Sequence, residues 1–320
     1  MRYKKIILLL LVFSSFFSFA QESLIGTFYG GWARNKGDYI WIKDLGKDAP
    51  FFAVGDVNGD GFEDAITANL GKVEVAVSET YTNLAGREVR HFGEKATWAG
   101  RFGVGKGNSI NKGYYLLGDI NVDSKTDIAT FDEKEGKWEF ALSKRGAFEA
   151  VFSTIESFGT LGNQPHLKDV NGDKLGDAVI FDSGNWKVRL NNGNGFDAER
   201  TFVAGFGSKS SQTFMADVNG DGKADAVYYL DGDVFVAISD GLIFNTPSLW
   251  LSDIAATKVM TGDATGDNLD DLILFYLKDT NGRNVGKWEI CQSNGKNAFE
   301  NPELWCREHG SGDNRNRITK

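Results

Sequence analysis

One nine-residue, aspartate-rich pattern occurs five times in the chain and constrains its fold more than any other feature. The copies begin at Asp56, Asp119, Asp169, Asp217 and Asp263. The first, third and fourth all read Asp-Val-Asn-Gly-Asp, and successive copies start 63, 50, 48 and 46 residues apart. A recurring period of this length is typical of repeat proteins, in which each copy is one supersecondary unit.

Every copy carries oxygen-bearing side chains at positions 1, 3, 5 and 9. Carboxylates this close in sequence repel one another, so the pattern favours a bound hard cation, and calcium matches an all-oxygen ligand set best. A soft metal is disfavoured because no cysteine or histidine accompanies the loops. For a single copy, an Asp-Asn-Gly turn without an ion is the simpler alternative. The candidate ligands are Asp56, Asn58, Asp60 and Asp64; Asp119, Asn121, Asp123 and Asp127; Asp169, Asn171, Asp173 and Asp177; Asp217, Asn219, Asp221 and Asp225; and Asp263, Thr265, Asp267 and Asp271.

The five copies differ at positions 4 and 6, where a sharp turn favours glycine. The first and fourth copies have glycine at both positions. The third has Lys174 at position 6, the fifth has Asn268 there, and the second has Val122 and Ser124 at the two positions. Valine tolerates left-handed backbone geometry poorly, so the second loop is predicted to be the weakest site.

The residues around each loop predict strands and not helices. An EF-hand loop has similar early spacing but requires a bidentate glutamate at position 12. That position holds Thr67, Thr130, Ile180, Tyr228 and Leu274. The following segments, such as residues 178–181 and 272–275, are β-branched and aromatic, which favours strands. Each loop is therefore predicted to connect two strands.

Each unit continues through a glycine turn into a third strand and, in most units, a recognisable fourth. The third strands are predicted at residues 72–77, 137–142, 186–190, 234–238 and 287–291, and fourth strands at 96–98, 201–203, 249–251 and 304–306. Four short strands per repeat make one blade of a propeller. We therefore predict an all-β chain, a β-propeller of about five to six four-stranded blades with the loops between the first and second strands. The repeat cores lie near 51–103, 114–159, 165–207, 213–252 and 259–308.

Together with Phe-Gly pairs at 102–103, 158–159 and 206–207, these loops resemble the FG-GAP/VCBS repeats of integrin-alpha-type calcium-binding β-propellers. The resemblance implies that the side chains at positions 1, 3, 5 and 9 are calcium ligands in up to five sites. It also implies that a backbone carbonyl at position 7 completes each shell. These carbonyls belong to Phe62, Lys125, Leu175, Lys223 and Leu269. Propellers of this family often have seven blades, whereas this chain has five full repeats.

Residues 24–44 precede the first repeat and resemble part of another. Segments 27–29 and 39–42 are similar to the third and fourth strands of a unit that lacks its first two. A five-bladed ring with an N-terminal addition and a six-bladed ring both fit this pattern.

Residues 1–20 are predicted to be a secretory signal peptide. A basic start with Arg2, Lys4 and Lys5 precedes an apolar run and a small-residue cleavage signature that ends at Ala20. The apolar run is shorter than the ~20 residues of a spanning helix, and no other segment is predicted to cross a membrane. We therefore expect a secreted, periplasmic or cell-surface protein, with a propeller at 21–309 and a polar tail at 310–320.

Two other residue types bear on the architecture. Cys291 and Cys306 fall on the third and fourth strands of the last unit, and export favours a disulfide between them over two buried thiols. Tryptophans recur at one register of the third strand, at Trp138, Trp186 and Trp288. Repetition at a fixed register predicts packing between blades and disfavours exposed platforms for sugar rings.

The predicted function is a non-catalytic binding or adhesion module for a glycan or an extracellular protein, as the resemblance implies. Removal of the three basic leader residues changes the formal charge from −9 to −12, which disfavours nucleic acid as a partner. The alternative is a polysaccharide lyase or hydrolase, with residues 81–111 as the best candidate stretch because they interrupt the repeat. A structural subunit of a larger surface complex is a third possibility. No nucleophile motif is present in the sequence.

Overall fold

The described residues form a β-propeller of five four-stranded blades. The computed structural model describes residue 45 and residues 49–82, 86, 88–103, 114–149, 152–278 and 281–306. The predicted signal peptide, segment 24–44 and tail 310–320 lie outside the described residues. Within the described part, no helix has the length and hydrophobicity needed to cross a membrane.

Each blade is an antiparallel sheet built from strands that follow one another along the chain. Blade 1 consists of β1 (Phe51–Gly55), β2 (Asp64–Asn69), β3 (Lys72–Ala76) and β6 (Ala96–Ala99). Blade 2 consists of β7 (Tyr114–Gly118), β8 (Asp127–Asp132), β9 (Lys137–Ala141) and β12 (Ser153–Ile155). Blade 3 consists of β13 (Gln164–Lys168), β14 (Asp177–Asp182), β15 (Asn185–Arg189) and β16 (Arg200–Val203). Blade 4 consists of β17 (Gln212–Ala216), β18 (Asp225–Leu230), β19 (Asp233–Ala237) and β20 (Ser248–Leu251). Blade 5 consists of β21 (Lys258–Gly262), β22 (Asp271–Lys278), β23 (Asn284–Cys291) and β24 (Glu303–Cys306).

Two short hairpins lie outside the blades. The larger pairs β4 (Ser78–Thr82) with β5 (Glu88–Phe92) and interrupts blade 1 between its third and outer strands. The smaller pairs β10 (Ser143–Lys144) with β11 (Ala147–Phe148) at the same place in blade 2. In the other three blades this hairpin is reduced to a single bridge between a serine or asparagine and a phenylalanine.

The predicted order of strands and loops is confirmed in all five blades. Each nine-residue loop joins a first strand to a second, and strands follow where an EF-hand would have a helix. The sequence did not predict β12 as the outer strand of blade 2. This strand has only three residues and carries Ile155, whereas the other outer strands carry an aromatic residue.

Aromatic residues on the outer strands join neighbouring blades. In four blades the pairing of the third and outer strands shifts by one residue, at Trp98, Phe202, Trp250 and Trp305. The first three of these rings pack against a phenylalanine of the next blade, with centroids 5.2–5.4 Å apart. The third-strand tryptophans are also buried, so the predicted packing role of the repeated tryptophans is confirmed. Trp305 in the last blade is 40% exposed.

The side of blade 1 that faces away from blade 2 is covered by Leu45. This residue packs in a buried cluster with four residues of blade 1 and its hairpin: Phe52, Ala65, Ala76 and Phe92. The equivalent residues of blade 5, identified by their distance from the aspartate loop and by the strand register, are Val259, Leu272, Cys291 and Phe299. Ile254, which follows the outer strand of blade 4, lies in the same buried cluster as these four residues. Leu45 therefore occupies the place that the end of a preceding blade takes at an ordinary junction.

Two hydrogen bonds recur at the four junctions between described blades. In the first, the amide at loop position 8 donates to the carbonyl of position 1 in the preceding blade, as from Ala224 to Asp169 at 2.7 Å. In the second, the serine or asparagine after the third strand donates its side chain to the carbonyl of position 2 in the preceding loop. These donors and acceptors are Ser143 to Val57, Asn191 to Ile120, Ser239 to Val170 and Ser293 to Val218.

We expect Ser239→Ala to destabilise the propeller. Ser239 is buried and its hydroxyl donates to the Val170 carbonyl at 2.6 Å, so the substitution leaves a buried acceptor without its donor. Such a loss costs about 1–3 kcal/mol in the free energy of unfolding. Urea denaturation monitored by tryptophan fluorescence measures the change.

The matched control is Ser210→Ala, which removes the same hydroxyl from an exposed residue in the loop before blade 4. We expect a change within about 0.5 kcal/mol for this variant. Equal stabilities for the two variants would show that the repeated bond between blades contributes nothing.

Candidate functional site: the aspartate loops and the blade 1 hairpin

The side chains at positions 1, 3 and 5 shape each loop by accepting hydrogen bonds from its own backbone. In loop one, Asp56 accepts from the amides of Gly59 and Gly61, each at 2.7 Å. The Asn58 side chain accepts from the amide of Asp60 at 2.8 Å. Asp60 in turn accepts from the amide of Phe62 at 2.9 Å. The other loops repeat most of this arrangement, so the three side chains are preorganised on an exposed turn.

Positions 4 and 6 adopt left-handed backbone conformations whether or not they hold glycine. The non-glycine residues at these positions are Val122, Ser124, Lys174 and Asn268, and their φ angles lie between 61° and 71°. For β-branched Val122, this geometry is strained. The sequence-based expectation of a sharp turn at these positions is therefore confirmed.

The position 9 aspartates are fully buried and point away from the exposed turn. Asp177 accepts from the amide of Val170 at 2.9 Å and from the amide of Asn191 at 2.8 Å. Burial raises the pKa of Asp177 to about 7, although the two amide bonds act in the opposite direction. The equivalent aspartates in loops one, two, four and five also accept from two such backbone segments. The position 9 carboxylate therefore anchors the loop to the end of the third strand.

The side chain at position 7 covers the preceding loop. A Cβ added to Gly220 in loop four would lie 2.8 Å from Cδ2 of Leu269 in loop five. The alkyl chains of Lys125 and Lys223 lie over position 4 of loops one and three in the same way. The resemblance assigned only a backbone carbonyl to position 7, so this contact between loops was missed.

In loops two and four the position 7 side chain also forms an ion pair. The Nζ atom of Lys125 lies 2.9 Å from Oδ2 of Asp123, and that of Lys223 lies 2.6 Å from Oδ2 of Asp221. Loops one, three and five have the uncharged residues Phe62, Leu175 and Leu269 at this position.

The donor chemistry of the loops fits calcium, because every candidate ligand atom is an oxygen. In loop five the buried hydroxyl of Thr265, at position 3, makes no hydrogen bond. Among the described residues, however, no three Asp, Glu, His or Cys side chains come together as a metal cluster. A calcium ion in loop one would be held mainly by Asp56, Asn58, Asp60 and the Phe62 carbonyl, because Asp64 is turned towards backbone amides.

The β4–β5 hairpin brings a second set of candidate functional side chains beside loop one. The guanidinium of Arg90 lies over the Phe62 ring, 2.8 Å from its centroid. The rings of Tyr81 and His91 meet edge-on at 5.1 Å, and His91 Nε2 lies 3.9 Å from Oε2 of Glu79. Tyr81 and Phe62 remain 49% and 41% exposed. Aromatic surface and polar groups are therefore presented together where the repeat is interrupted.

His166 lies on the first strand of blade 3. Its ring stacks on Trp186 and its Nε2 lies 2.9 Å from Oγ1 of Thr213. The Thr213 hydroxyl donates to Gln164, so Nε2 of His166 carries a proton and donates to Thr213. Burial lowers the pKa of His166 to about 4, which keeps the ring neutral. These contacts account for His166 as a structural residue.

The predicted disulfide stays a prediction. Cys291 is a buried free thiol, and the side chain of Cys306 lies outside the described residues. The strand register places Trp288 opposite Cys306, three residues away from Cys291. A disulfide requires the two Cα atoms to be closer together than this strand register places those of Cys291 and Cys306.

Comparison with known proteins agrees with the architecture. The five blades and the loop repeated in each of them define a repeat β-propeller. The FG-GAP-like repeat family matches residues 169–228, which run from the loop of blade 3 into the second strand of blade 4. This match and the five described blades fit an FG-GAP repeat propeller, as the sequence resemblance predicted. No curated protein matches it in sequence.

Two solved structures share the fold. A lectin from Agrocybe aegerita, which recognises non-reducing terminal N-acetylglucosamine, is 20% identical with a TM-score of 0.58, and the match covers 82% of each chain. Part of the Photorhabdus luminescens Tc holotoxin pore is 16% identical with a TM-score of 0.55, and covers 79% of this chain and 12% of the toxin chain. At these identities the likeness shows the propeller fold alone.

We expect Val122→Gly to stabilise the protein. Glycine adopts a φ near 61° without the strain that valine has there, and Val122 is exposed, so little packing is lost. The expected gain in the free energy of unfolding is about 1 kcal/mol. Urea denaturation measures it.

The reverse change, Gly220→Val, provides the comparison at the same loop position. It should be strongly destabilising, because φ is +76° and the new side chain would collide with Leu269. A loss of stability in Val122→Gly would contradict the strain assigned to Val122.

Proposed function

We propose that this protein is an exported, non-catalytic binding module that recognises glycans. The observation that carries the proposal is the β4–β5 hairpin, which interrupts the repeat and exposes Tyr81 and Phe62 beside Arg90, His91 and Glu79. Aromatic faces with a few polar groups nearby suit sugar rings, which have apolar faces and hydroxyl edges. The use of the same fold by a lectin supports this choice, and the predicted signal peptide supports export.

We further propose that the aspartate loops bind calcium and that the ion stabilises the face on which the hairpin lies. The support is the all-oxygen ligand set, its preorganisation at positions 1, 3 and 5, and the unpaired hydroxyl of Thr265. The bound ion would offset the mutual repulsion of the loop carboxylates. Because Phe62 belongs to loop one and supports Arg90, ordering of this loop would also order the hairpin.

We expect Tyr81→Ala to weaken glycan binding at least tenfold. The substitution removes the exposed ring and its contact with His91. The mature protein is first screened on a glycan array, and the affinity for the best ligand is then measured by titration calorimetry.

The control for this test is Phe152→Ala, which removes an exposed ring elsewhere, immediately before the outer strand of blade 2. Its affinity should equal that of the unchanged protein. Equal losses in both variants, or binding that survives in Tyr81→Ala, would place the site away from the hairpin. An array without any signal, together with a co-purifying protein, would favour a protein ligand.

We expect calcium to raise the melting temperature of chelator-treated protein, and an equal concentration of magnesium to raise it less. A ligand at about 100 times its dissociation constant stabilises the folded state by about 2.7 kcal/mol per site. Asp173→Asn removes the negative charge of a candidate ligand in loop three and should reduce the calcium-dependent shift. Differential scanning calorimetry measures each curve.

Asp197→Asn serves as the matched control, since Asp197 lies in the same blade outside the loop and accepts a hydrogen bond from Asn192 that an asparagine side chain can still accept. The calcium-dependent shift should be unchanged in this variant. A melting curve that is the same with calcium and with saturating chelator would contradict the proposal that the aspartate loops bind calcium.

A further inference from the structure

We propose that Lys125 and Lys223 take the place of a metal ion in loops two and four, so that calcium is held only by loops one, three and five. The inference rests on the proposed calcium binding and specifies which loops perform it. The sequence ranked loop four among the two most complete sites, because it has glycine at both turn positions. The structure places a lysine ammonium on that loop.

The two lysines complete the hydrogen bonding of the position 5 carboxylates. In loop four, Oδ1 of Asp221 accepts from the backbone amide of Lys223 at 3.0 Å, and Oδ2 lies 2.6 Å from the Nζ atom of the same residue. Asp123 in loop two is engaged by Lys125 in the same way, at 3.0 and 2.9 Å. In loops one and three, Oδ2 of the position 5 aspartate accepts from a neutral asparagine amide, a bond that Asn219 also donates to Asp221 in loop four at 3.3 Å. Among the described residues, loops two and four alone pair a lysine with this carboxylate.

Each lysine is also held in place by the neighbouring blade, which distinguishes it from an ordinary surface lysine. A Cβ at Gly59 would lie 3.3 Å from Cγ of Lys125, and one at Gly172 would lie 3.1 Å from Cγ of Lys223. The side chains of Lys125 and Lys223 are only 29% and 19% exposed. Isolated surface ion pairs contribute little because holding two free side chains costs entropy. Here packing of the lysine alkyl chain on the preceding loop already restricts the side chain, so forming the ion pair costs less entropy.

The arrangement alternates along the chain because position 7 alternates. Phe62, Leu175 and Leu269 are uncharged, and Leu269 covers the preceding loop, whereas the two lysines add an ammonium to their own loops. A calcium ion approaching loop two or four must displace that ammonium or bind beside it against charge repulsion. Loops one, three and five offer the same oxygen ligands without this competitor.

Calcium stoichiometry tests the inference directly. Chelator-stripped mature protein is titrated with calcium chloride in a calorimeter, and bound calcium is counted by elemental analysis after gel filtration. We expect three ions per chain for the unchanged protein and five for the double variant Lys125→Met with Lys223→Met. Methionine keeps an unbranched apolar side chain over the preceding glycine and removes the charge.

Two further variants keep the test decisive if the double variant folds poorly. Leu175→Lys adds an ammonium to loop three and should reduce the count from three to two. Lys187→Met, which removes a lysine paired with Asp182 and Glu199 outside the loops, should leave it at three. Circular dichroism confirms that each variant is folded.

The outcomes separate the two proposals. Five ions in the unchanged protein, or an unchanged count in both the double variant and Leu175→Lys, would overturn the role of the lysines while leaving calcium binding intact. No bound calcium in any variant would overturn calcium binding itself, and this inference with it.

Discussion

The buried carboxylate at position 9 of each loop is the interaction on which the rest of the propeller depends. It accepts one amide from its own loop and one from the end of the third strand, and the residue at that strand end donates its side chain to the preceding blade. A chain of hydrogen bonds therefore runs through the ring from Val57 in blade 1 to Ala264 in blade 5. Burying a carboxylate is costly, as the raised pKa of Asp177 shows, and only bonding to both oxygens makes it tolerable.

The same network explains how the exposed loop turns can be free to bind a ligand while the buried parts of each blade provide stability. Position 9 and the outer-strand aromatics face inward and join blades, whereas positions 1, 3 and 5 project from the turn. Substitutions on the exposed turn can therefore change ligand chemistry without disturbing the junctions. The three uses of position 7 illustrate this freedom: a leucine only covers its neighbour, a lysine adds a charge, and Phe62 supports Arg90.

The first and last described blades have the same kinds of junction residues as the blades between them. Leu45 covers blade 1 as Ile254 covers blade 5, so the surface of blade 1 facing away from blade 2 is built to receive a neighbour. At the other end, Trp305 has the strand register of the buried Trp98 and Trp250 but is exposed. The exposure of Trp305 is consistent with a repeated junction in which an outer-strand aromatic meets the next blade.

Sequence alone determined the five repeats, the loop positions, the left-handed turns and the packing role of the tryptophans, and left five or six blades open. These features follow from local patterns: alternating apolar residues, glycine or asparagine at turns, and one aspartate spacing repeated five times. Only the tertiary structure decided which loop carboxylates turn inward, that Lys125 and Lys223 neutralise their own loops, and that the hairpin reaches Phe62. The physical reason is that each of these depends on packing around a loop, as when Lys125 rests on Gly59 from the next blade. A contact between residues that far apart leaves no periodicity in the sequence around either of them.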